Sequence, residues 1–500
     1  MKKIAAKWFA AQIHKKNQRW IKNPHQAQRA IFFQLLKQGQ KTLFGKDHGF
    51  KNITNYQEFA TAIPIRDYEQ LRPYIDRMVA GEADILWPGK PLYYAKTSGT
   101  TSGAKYIPIT KASMPTHITA ARDALLNYIH RTGKTDFVTG KQIFLQGSPE
   151  LQELNGVALG RLSGIVAHYV PRYLQKNRMP SWETNCIADW ETKVDRIVEE
   201  TLPENMTVIA GIPSWVQMYF ERLIQMTQKK VGAIFPNFSL FVYGGVNFEP
   251  YKALFKEMIG RNIDSIELFP ASEGFFAYQD QPNQEGLLLL TDNGIYYEFV
   301  EADTFFDAVP KRCNLEGVKI GVNYALILNT TAGLWGYNIG DTVRFISTAP
   351  YRLVVTGRIK HFISAFGEHV IGKEVETALQ ETLKTCPALI REFTVAPQIA
   401  PKTGLPYHEW FVDFETPPVD KKAFAQSLDQ SLRAQNIYYD DLIKGQVLRS
   451  VVLTEVAKDG FQIYMKKVGK LGGQNKVPRL KNDRSIADEL PLKTDLCHPK

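Results

Sequence analysis

The chain has 500 residues, enough for two or more domains with ample core. Hydrophobic residues make up 44% and charged residues 22%, an ordinary globular balance that argues against long disorder. The net charge of +10 is spread out, apart from the first 50 residues and the stretch 466–481, which argues against a nucleic-acid-binding patch and fits a site for a polyanionic small molecule.

Residues 1–45 predict helix, with Ile4, Trp8, Ile13, Trp20 and then Ile31, Phe32, Leu35 and Leu36 at near-helical spacing. Lys7 and His14-Lys15-Lys16 interrupt the apolar run, so the start reads as an amphipathic helix rather than a signal peptide. No segment reaches the roughly 18 apolar residues that a membrane span needs. Cys186, Cys313, Cys386 and Cys497 are far apart and show no metal-ligand spacing, which favours a reducing compartment; the cytoplasm is expected. Residues 55–80 predict two short helices around Ile63-Pro64-Ile65, the second with Asp67 as its N-cap.

Thr97 to Gly103 is an unbroken run of Ser, Thr and Gly, flanked by Tyr93-Tyr94 and Tyr106-Ile107-Pro108-Ile109. It reads as strand, small-residue turn, strand. Gly99 and Gly103 let backbone approach a ligand, and successive N–H groups in such a turn form an anion site. Hydroxyls at Thr97, Ser98, Thr100, Thr101 and Ser102, with Lys96 and Lys105 beside them, suit a polyphosphate. It is not a Walker A loop, because Gly-Lys-Ser/Thr followed by a helix is missing. A polar surface linker is the alternative. Residues 111–131 then predict a helix, with Arg122 among Ala120, Ala121 and Ala124: either a charge turned into a pocket or a solvated face.

From 141 to 330, short apolar runs (142–145, 206–210, 240–243, 265–269 and 324–328) alternate with helical stretches such as 187–201, 213–229 and 249–260. That alternation predicts an α/β domain with mixed, largely parallel sheets, whose ligands bind beyond the carboxyl ends of strands. Two such ends stand out. Tyr243-Gly244-Gly245 and Pro270-Ala271-Ser272-Glu273-Gly274 offer small residues on which an adenine or ribose lies flat, and Glu273 is a carboxylate suited to Mg²⁺. Two ordinary βα turns, with Glu273 capping a helix, are the alternative. In Tyr337-Asn338-Ile339-Gly340-Asp341, Asp341 is suited to accept ribose hydroxyls; a Gly-Asp hairpin turn is the other reading. Gly357-Arg358 follows a strand and suits a hinge, with Arg358 forking onto phosphate or ribose oxygens. Residues 364–500 change to a compact α+β pattern that ends in the glycine-rich, cationic loop 467–480.

In this order, Ser98-Gly99-Thr100-Thr101-Ser102-Gly103, Tyr243-Gly244-Gly245, Ala271-Ser272-Glu273-Gly274, Tyr337-Asn338-Ile339-Gly340-Asp341, Gly357-Arg358 and a late lysine resemble the adenylate-forming (ANL) superfamily. More narrowly, the leader at 62–82 and Gly473-Gln474-Asn475-Lys476-Val477-Pro478-Arg479 resemble the acyl-acid amido synthetases of the auxin-responsive-promoter (Gretchen Hagen) family, in a prokaryote-like form. The resemblance implies a large N-terminal adenylation domain (1–357), a hinge (358–363) and a smaller, mobile α+β lid (364–500). It implies ATP and Mg²⁺, a carboxylic acid activated as an acyl-adenylate, and an amine, usually an amino acid, as acceptor. Ser98, Gly99, Thr100, Thr101, Ser102 and Gly103 would hold phosphates, and Gly244, Gly245, Ala271 and Ser272 the adenine. Glu273 would be the catalytic metal carboxylate, Asp341 the ribose ligand and Arg358 a phosphate or ribose ligand. Arg122 would lie at the acyl pocket, and Lys476 is the candidate phosphate lysine, because Phe366-Gly367-Glu368-His369 stands where plant members carry a lysine-bearing segment. A monomer without nucleic-acid partners is expected. An acyl-CoA ligase and an inactive nucleotide-binding relative are the rival readings.

Overall fold

The computed structural model describes residues 2–100, 103–170, 175–245, 248–282, 284–359, 362–363, 368, 370–445, 447–472 and 476–493. The chain forms two compact units. The first comprises Met1–Met226, Ile234–Gly245 and Ile263–Val354; the second comprises Thr227–Ala233, Val246–Asn262 and Val355–Lys500.

The first unit begins with helices Lys2–Lys22 and Pro24–Gly39. The helical pattern expected as one stretch splits at Asn23 because Pro24 has no N–H and sits best in a first helical turn. Helices Tyr56–Ala62 and Tyr68–Val79 follow, and Asp67 closes a capping box with Gln70 on the second. Strands β1 (Tyr93–Thr100) and β2 (Gly103–Ile109) form an antiparallel hairpin. Helix Met114–Thr132 comes next. The next strands are β3 (Lys141–Phe144), β4 (Gln152–Leu154), β5 (Val157–Gly160), β6 (Arg178–Met179), β7 (Met206–Ala210), β8 (Leu240–Gly244) and β9 (Asp264–Ala271). They are followed by β10 (Gly274–Tyr278), β11 (Leu287–Leu289), β12 (Ile295–Glu301), β13 (Arg312–Asn314), β14 (Asn323–Thr330), β15 (Tyr337–Thr348) and β16 (Tyr351–Arg358).

A small sheet has the order β2-β1-β5-β4, and a twelve-stranded sheet has the order β13-β12-β14-β15-β16-β11-β10-β9-β8-β7-β3-β6. Its run β6-β3-β7-β8-β9 is parallel, with strand–helix alternation along the chain. From β9 to β10 the chain turns back at once and the pairing becomes antiparallel. The mixed α/β class expected from the apolar runs is therefore present, with the parallel part concentrated where helices separate the strands.

The second unit holds β17 (Phe362–Ile363) and β18 (Val370–Ile371), an antiparallel pair. Beyond them, β19 (Leu389–Gln398), β20 (Tyr407–Thr416) and β21 (Val452–Glu455) make a sheet in that order. Helices Gly372–Thr385 and Lys421–Gln435 contribute Val375, Leu379, Phe424 and Leu428 to a core with Phe393, Trp410 and Val412 of the sheet. The last strand is confined to Val452–Glu455, because Val447 and Leu448 donate their N–H groups back to Leu442 instead.

One buried cluster anchors the C-terminal loop of this unit. The Arg479 guanidinium lies over the rings of Phe393 and Tyr251, 4.7 and 5.3 Å from their centroids. It donates to Glu392 and to the Tyr251 hydroxyl, and it faces Glu376 at 3.4 Å. The Tyr251 hydroxyl donates to Glu392 at 2.8 Å. Removing the cation would leave the buried Glu376 and the half-buried Glu392 without their charged partner. Arg479→Met should lower the unfolding free energy by about 3–5 kcal/mol in urea denaturation, and Arg479→Lys, lacking the planar fork, should recover only part of it. A methionine variant as stable as the wild type would show that the cluster carries no net stability.

Candidate functional site

The parallel strands end on one edge of the large sheet. Phe144 of β3 pairs with Ala210 of β7, and Ala210 with Val242 of β8. Gly244 of β8 pairs with Leu268 of β9. A Cβ at Gly244 would stand 2.5 Å from the Leu268 carbonyl oxygen, so no other residue fits there without movement. Gly245 follows with φ +86°, a conformation that favours glycine. The result is a bare backbone step at the end of β8, beside the end of β9.

At the end of β9, Ala271 pairs with Gly274, and Ser272 and Glu273 form the two-residue turn of a hairpin. No helix follows, so the reading in which Glu273 caps a helix falls away. Glu273 is half-buried, and Tyr337 of β15 directs its hydroxyl at Glu273 Oε1 at 3.4 Å.

Asp341 lies inside β15 rather than in a hairpin turn. Ala325 of β14 pairs with Thr342, yet Ile327 pairs with Asn338. Leu326 alone therefore faces three residues, 339–341, and the strand bulges. Gly340 takes φ +90°, and the Asn338 side-chain oxygen accepts the Gly340 N–H at 2.9 Å. A bulge re-aims the side chain it carries, here that of Asp341. The Asn-x-Gly spacing was the sequence signal for it, through the tendency of Asn to hydrogen-bond backbone two residues on.

The leader ties these parts together. Arg66 donates its N–H to the Gly336 oxygen at 2.9 Å, and its own oxygen accepts from Asn338 N–H at 2.8 Å, extending β15 by one short parallel bridge. Its guanidinium donates to His48 Nε2 at 2.9 Å, while His48 Nδ1 donates to the Phe44 oxygen. Burial, with Arg66 nearby, lowers the His48 pKa and keeps the ring a neutral acceptor. Two residues on, the Tyr68 hydroxyl accepts the Tyr106 N–H at 2.9 Å and its ring underlies Lys105 Nζ at 5.4 Å. One stretch of three residues thus holds the hydroxyl-rich hairpin and the bulged strand.

A buried ion pair fixes the leader. Glu298 of β12 is fully buried; Arg312 of β13 donates to both its oxygens, at 2.7 and 2.6 Å, and Asn329 Nδ2 donates at 2.7 Å. The Arg312 Nη1 group donates on to the oxygens of Ala60 and Ile63 at 3.1 and 2.5 Å. Asn329 Oδ1 accepts the Gly336 N–H at 2.7 Å. Tyr337, Asn338, Glu298 and Arg312 were not singled out as functional from sequence. The last two look like ordinary surface charges until their strands pair.

Of the other expected residues, Ser98, Gly99, Thr100 and Gly103 lie at the tip of the β1–β2 hairpin, where Thr100 pairs with Gly103. Thr101 and Ser102 lie outside the described residues. Arg122 donates to the adjacent Asp123 at 2.9 and 2.7 Å and lies over the Phe9 ring at 5.7 Å. Its described partners are thus a neighbouring carboxylate and the first helix. Arg358 ends β16 and Lys476 is exposed; both belong to the second unit. Among the described residues no group of three or more His, Cys, Asp or Glu is arranged to hold a metal ion, and no helix is long and apolar enough to cross a membrane. Cys186, Cys313 and Cys386 are unbridged.

Comparison with known families matches residues 13–263 to the GH3 family N-terminal domain, 288–358 to the GH3 family central domain and 373–485 to the GH3 family C-terminal domain. The chain is similar to a jasmonoyl–L-amino acid synthetase, JAR4, of Nicotiana attenuata, with 22% identity over 380 residues. That match covers 62% of this chain and 64% of the relative, slightly less than two thirds of its length. In fold, the chain is similar to the AtGH3.15 acyl acid amido synthetase solved with 2,4-DB, with TM-score 0.78 and 16% identity over 96% of this chain and 95% of that one. It is also similar to a 2-hydroxyisobutyryl-CoA ligase in its postadenylation state, with TM-score 0.60 and 13% identity over 92% and 90% of the two chains.

The buried pair makes a specific prediction. Arg312→Met leaves the buried Glu298 carboxyl short of its main partner, and should destabilise the protein by about 3–5 kcal/mol. The double variant Glu298→Leu with Arg312→Met should regain most of that stability in chemical denaturation. The leader would still lack the bonds to Ala60 and Ile63, so limited proteolysis near residues 60–66 should quicken in both variants. Equal cost in the single and double variants would contradict this account.

Proposed function

The chain belongs to the GH3 family, and from that premise we propose that it adenylates a carboxylic acid with ATP and transfers the acyl group to an amine, an amino acid in the first instance. The observation that supports the reading is that the bare Gly244–Gly245 step and the Glu273 turn stand at the ends of paired strands β8 and β9, and that Tyr337, at the start of the strand whose bulge bears Asp341, holds Glu273. The hairpin tip at 98–103 is tied to the same strand through residues 66–68.

In the first step a carboxylate oxygen attacks the α-phosphorus, forming the C–O–P link, and pyrophosphate leaves. In the second, a neutral amine nitrogen attacks the acyl carbonyl, the C–O bond to AMP breaks, and the amine proton passes to solvent. We assign adenine to the backbone of Gly244, Gly245, Ala271 and Ser272, where side chains are absent or small. Asp341, aimed by the bulge, accepts the ribose hydroxyls. The hairpin tip with Ser98, Gly99, Thr100 and Gly103 cradles the phosphates through N–H groups and hydroxyls. Glu273 suits Mg²⁺, which keeps several waters and takes one or two carboxylates along with substrate phosphates. When bound there, that ion would neutralise charge on the triphosphate. Tyr337 holds the carboxylate in place.

The second unit would act as a lid about a hinge at 358–363, with Arg358 and Lys476 as its cations for phosphate, and Arg122 remains the proposed acyl-side residue. The cytoplasm, where ATP is plentiful and the three unbridged cysteines stay reduced, is the proposed location.

The test is a panel of carboxylic acids incubated with the protein, ATP and Mg²⁺, then offered amino acids or CoA at equal concentration, with products identified by mass. Amide and AMP are expected; thioester recovered in their place would move the protein to the acyl-CoA ligases. Glu273→Gln should slow acid-dependent ATP–pyrophosphate exchange on the order of 100-fold or more with an unchanged unfolding curve. Exchange at the wild-type rate in that variant would remove Glu273 from the chemistry.

A further inference from the structure

Helix Trp190–Thr201 turns Trp190, Val194, Ile197, Val198 and Thr201 inward, and one charged residue, Lys193, lies in that same stripe. Lys193 is only 2% exposed. Its ammonium donates to two main-chain oxygens, Gln146 at 3.0 Å and Asn185 at 2.6 Å. Among the described residues no carboxylate lies within 4 Å of it; burial lowers its pKa to about 8, and the one other titratable group acting on it is the Cys186 thiol. A buried cation without a counter-charge is costly unless something pairs with it.

The polar groups around it are also incomplete. Gln146 is 2% exposed, and neither atom of its side-chain amide has a hydrogen-bond partner among the described residues. Asn185 is 6% exposed, and its Oδ1 has no partner among them either. Buried amides are ordinarily satisfied, so this cluster is short of an acceptor for the lysine and the Gln146 donor, and of a donor for the two amide oxygens. An α-amino acid carries a carboxylate and an amine on one carbon, and so supplies both.

The position suits that ligand. Phe144, Ala210 and Val242 form one register row across β3, β7 and β8. Gln146 lies two residues past the end of β3, and Gly244 lies two residues beyond the row on β8. Two strand spacings, roughly 10 Å, separate them along the same edge. The carboxylate of the acyl acid is a poor match for this cation, because it must become bonded to phosphorus. The carboxylate of an acceptor amino acid stays unchanged throughout the reaction.

Resting on the amido synthetase reading, we propose that Lys193, with Gln146 and Asn185, binds the α-carboxylate side of the acceptor amino acid. The acceptor is thereby restricted to amines that carry a neighbouring carboxylate.

The test uses the full chain preloaded with acyl-adenylate and offered each of the twenty L-amino acids or its primary carboxamide, following AMP release. The wild type should favour the best amino acid over its carboxamide at least tenfold in kcat/KM. Lys193→Met should raise KM for that amino acid at least tenfold with little change in kcat, and abolish the preference. Gln146→Glu sets a carboxylate beside the cation; it should raise Tm while inhibiting amino-acid use as Lys193→Met does, and it decides the matter if the methionine variant does not fold. Equal use of acid and carboxamide by the wild type overturns the inference. So does an unchanged KM in a folded variant, or an equal loss of kcat for both acceptors. Failure of the underlying reading looks different: no carboxylic acid would support ATP–pyrophosphate exchange in the wild type, and the inference would fall with it.

Discussion

A fully buried carboxylate, Glu298, fixes much of the first unit's geometry. A charge at that depth persists only with strong partners, and it has three donors, two from Arg312 and one from Asn329. Those partners spend their remaining groups on backbone: Arg312 on Ala60 and Ile63, Asn329 on Gly336. The leader and the start of β15 are pinned to the same point. Arg66 can then pair with Gly336 and Asn338, and Tyr68 can hold Tyr106. A segment with little regular structure becomes the brace between two parts of the proposed nucleotide site.

The sheet supplies the other half of the arrangement. Parallel pairing from β6 to β9 brings the ends of several strands to one edge, where backbone groups are left for ligands. At β9 the pairing changes to antiparallel, and the turn that makes the change carries Glu273. The proposed metal carboxylate thus stands where the topology switches. The two readings of the edge differ in what each strand end offers: small residues at β8 and β9, and a buried cation with unsatisfied amides beyond β3. A nucleotide needs flat backbone and phosphate donors. A zwitterion needs a fixed charge and matching polar atoms. Both occur along one row of strand ends.

Much of this was legible in the sequence because it depends on local chemistry. The strand at 206–210, the cap at Asp67 and the small residues after 243 follow from apolar runs, a short acceptor side chain and missing Cβ atoms. The break before Pro24 was equally local and was passed over, because apolar spacing continued across it. Of the bulge at 339–341, the Asn-x-Gly spacing is local, but that Leu326 is the single residue opposite appears only when β14 and β15 pair. Glu298 and Arg312 lie 14 residues apart, with Asn329 farther on, so their burial appears only when three strands pair. Lys193 was not singled out from sequence, because the lack of a counter-charge among the described residues is a property of the folded surroundings.

The central claim is that the acid is activated by attack on the α-phosphorus of ATP. It is tested most directly with a carboxylic acid labelled with ¹⁸O in both carboxylate oxygens, taken through one full turnover with an amino acid. Adenylation predicts that one labelled oxygen is recovered in AMP, with unlabelled pyrophosphate and the other label in the amide carbonyl. Label recovered in inorganic phosphate, together with ADP, would mean that an acyl phosphate had formed instead and would contradict the account.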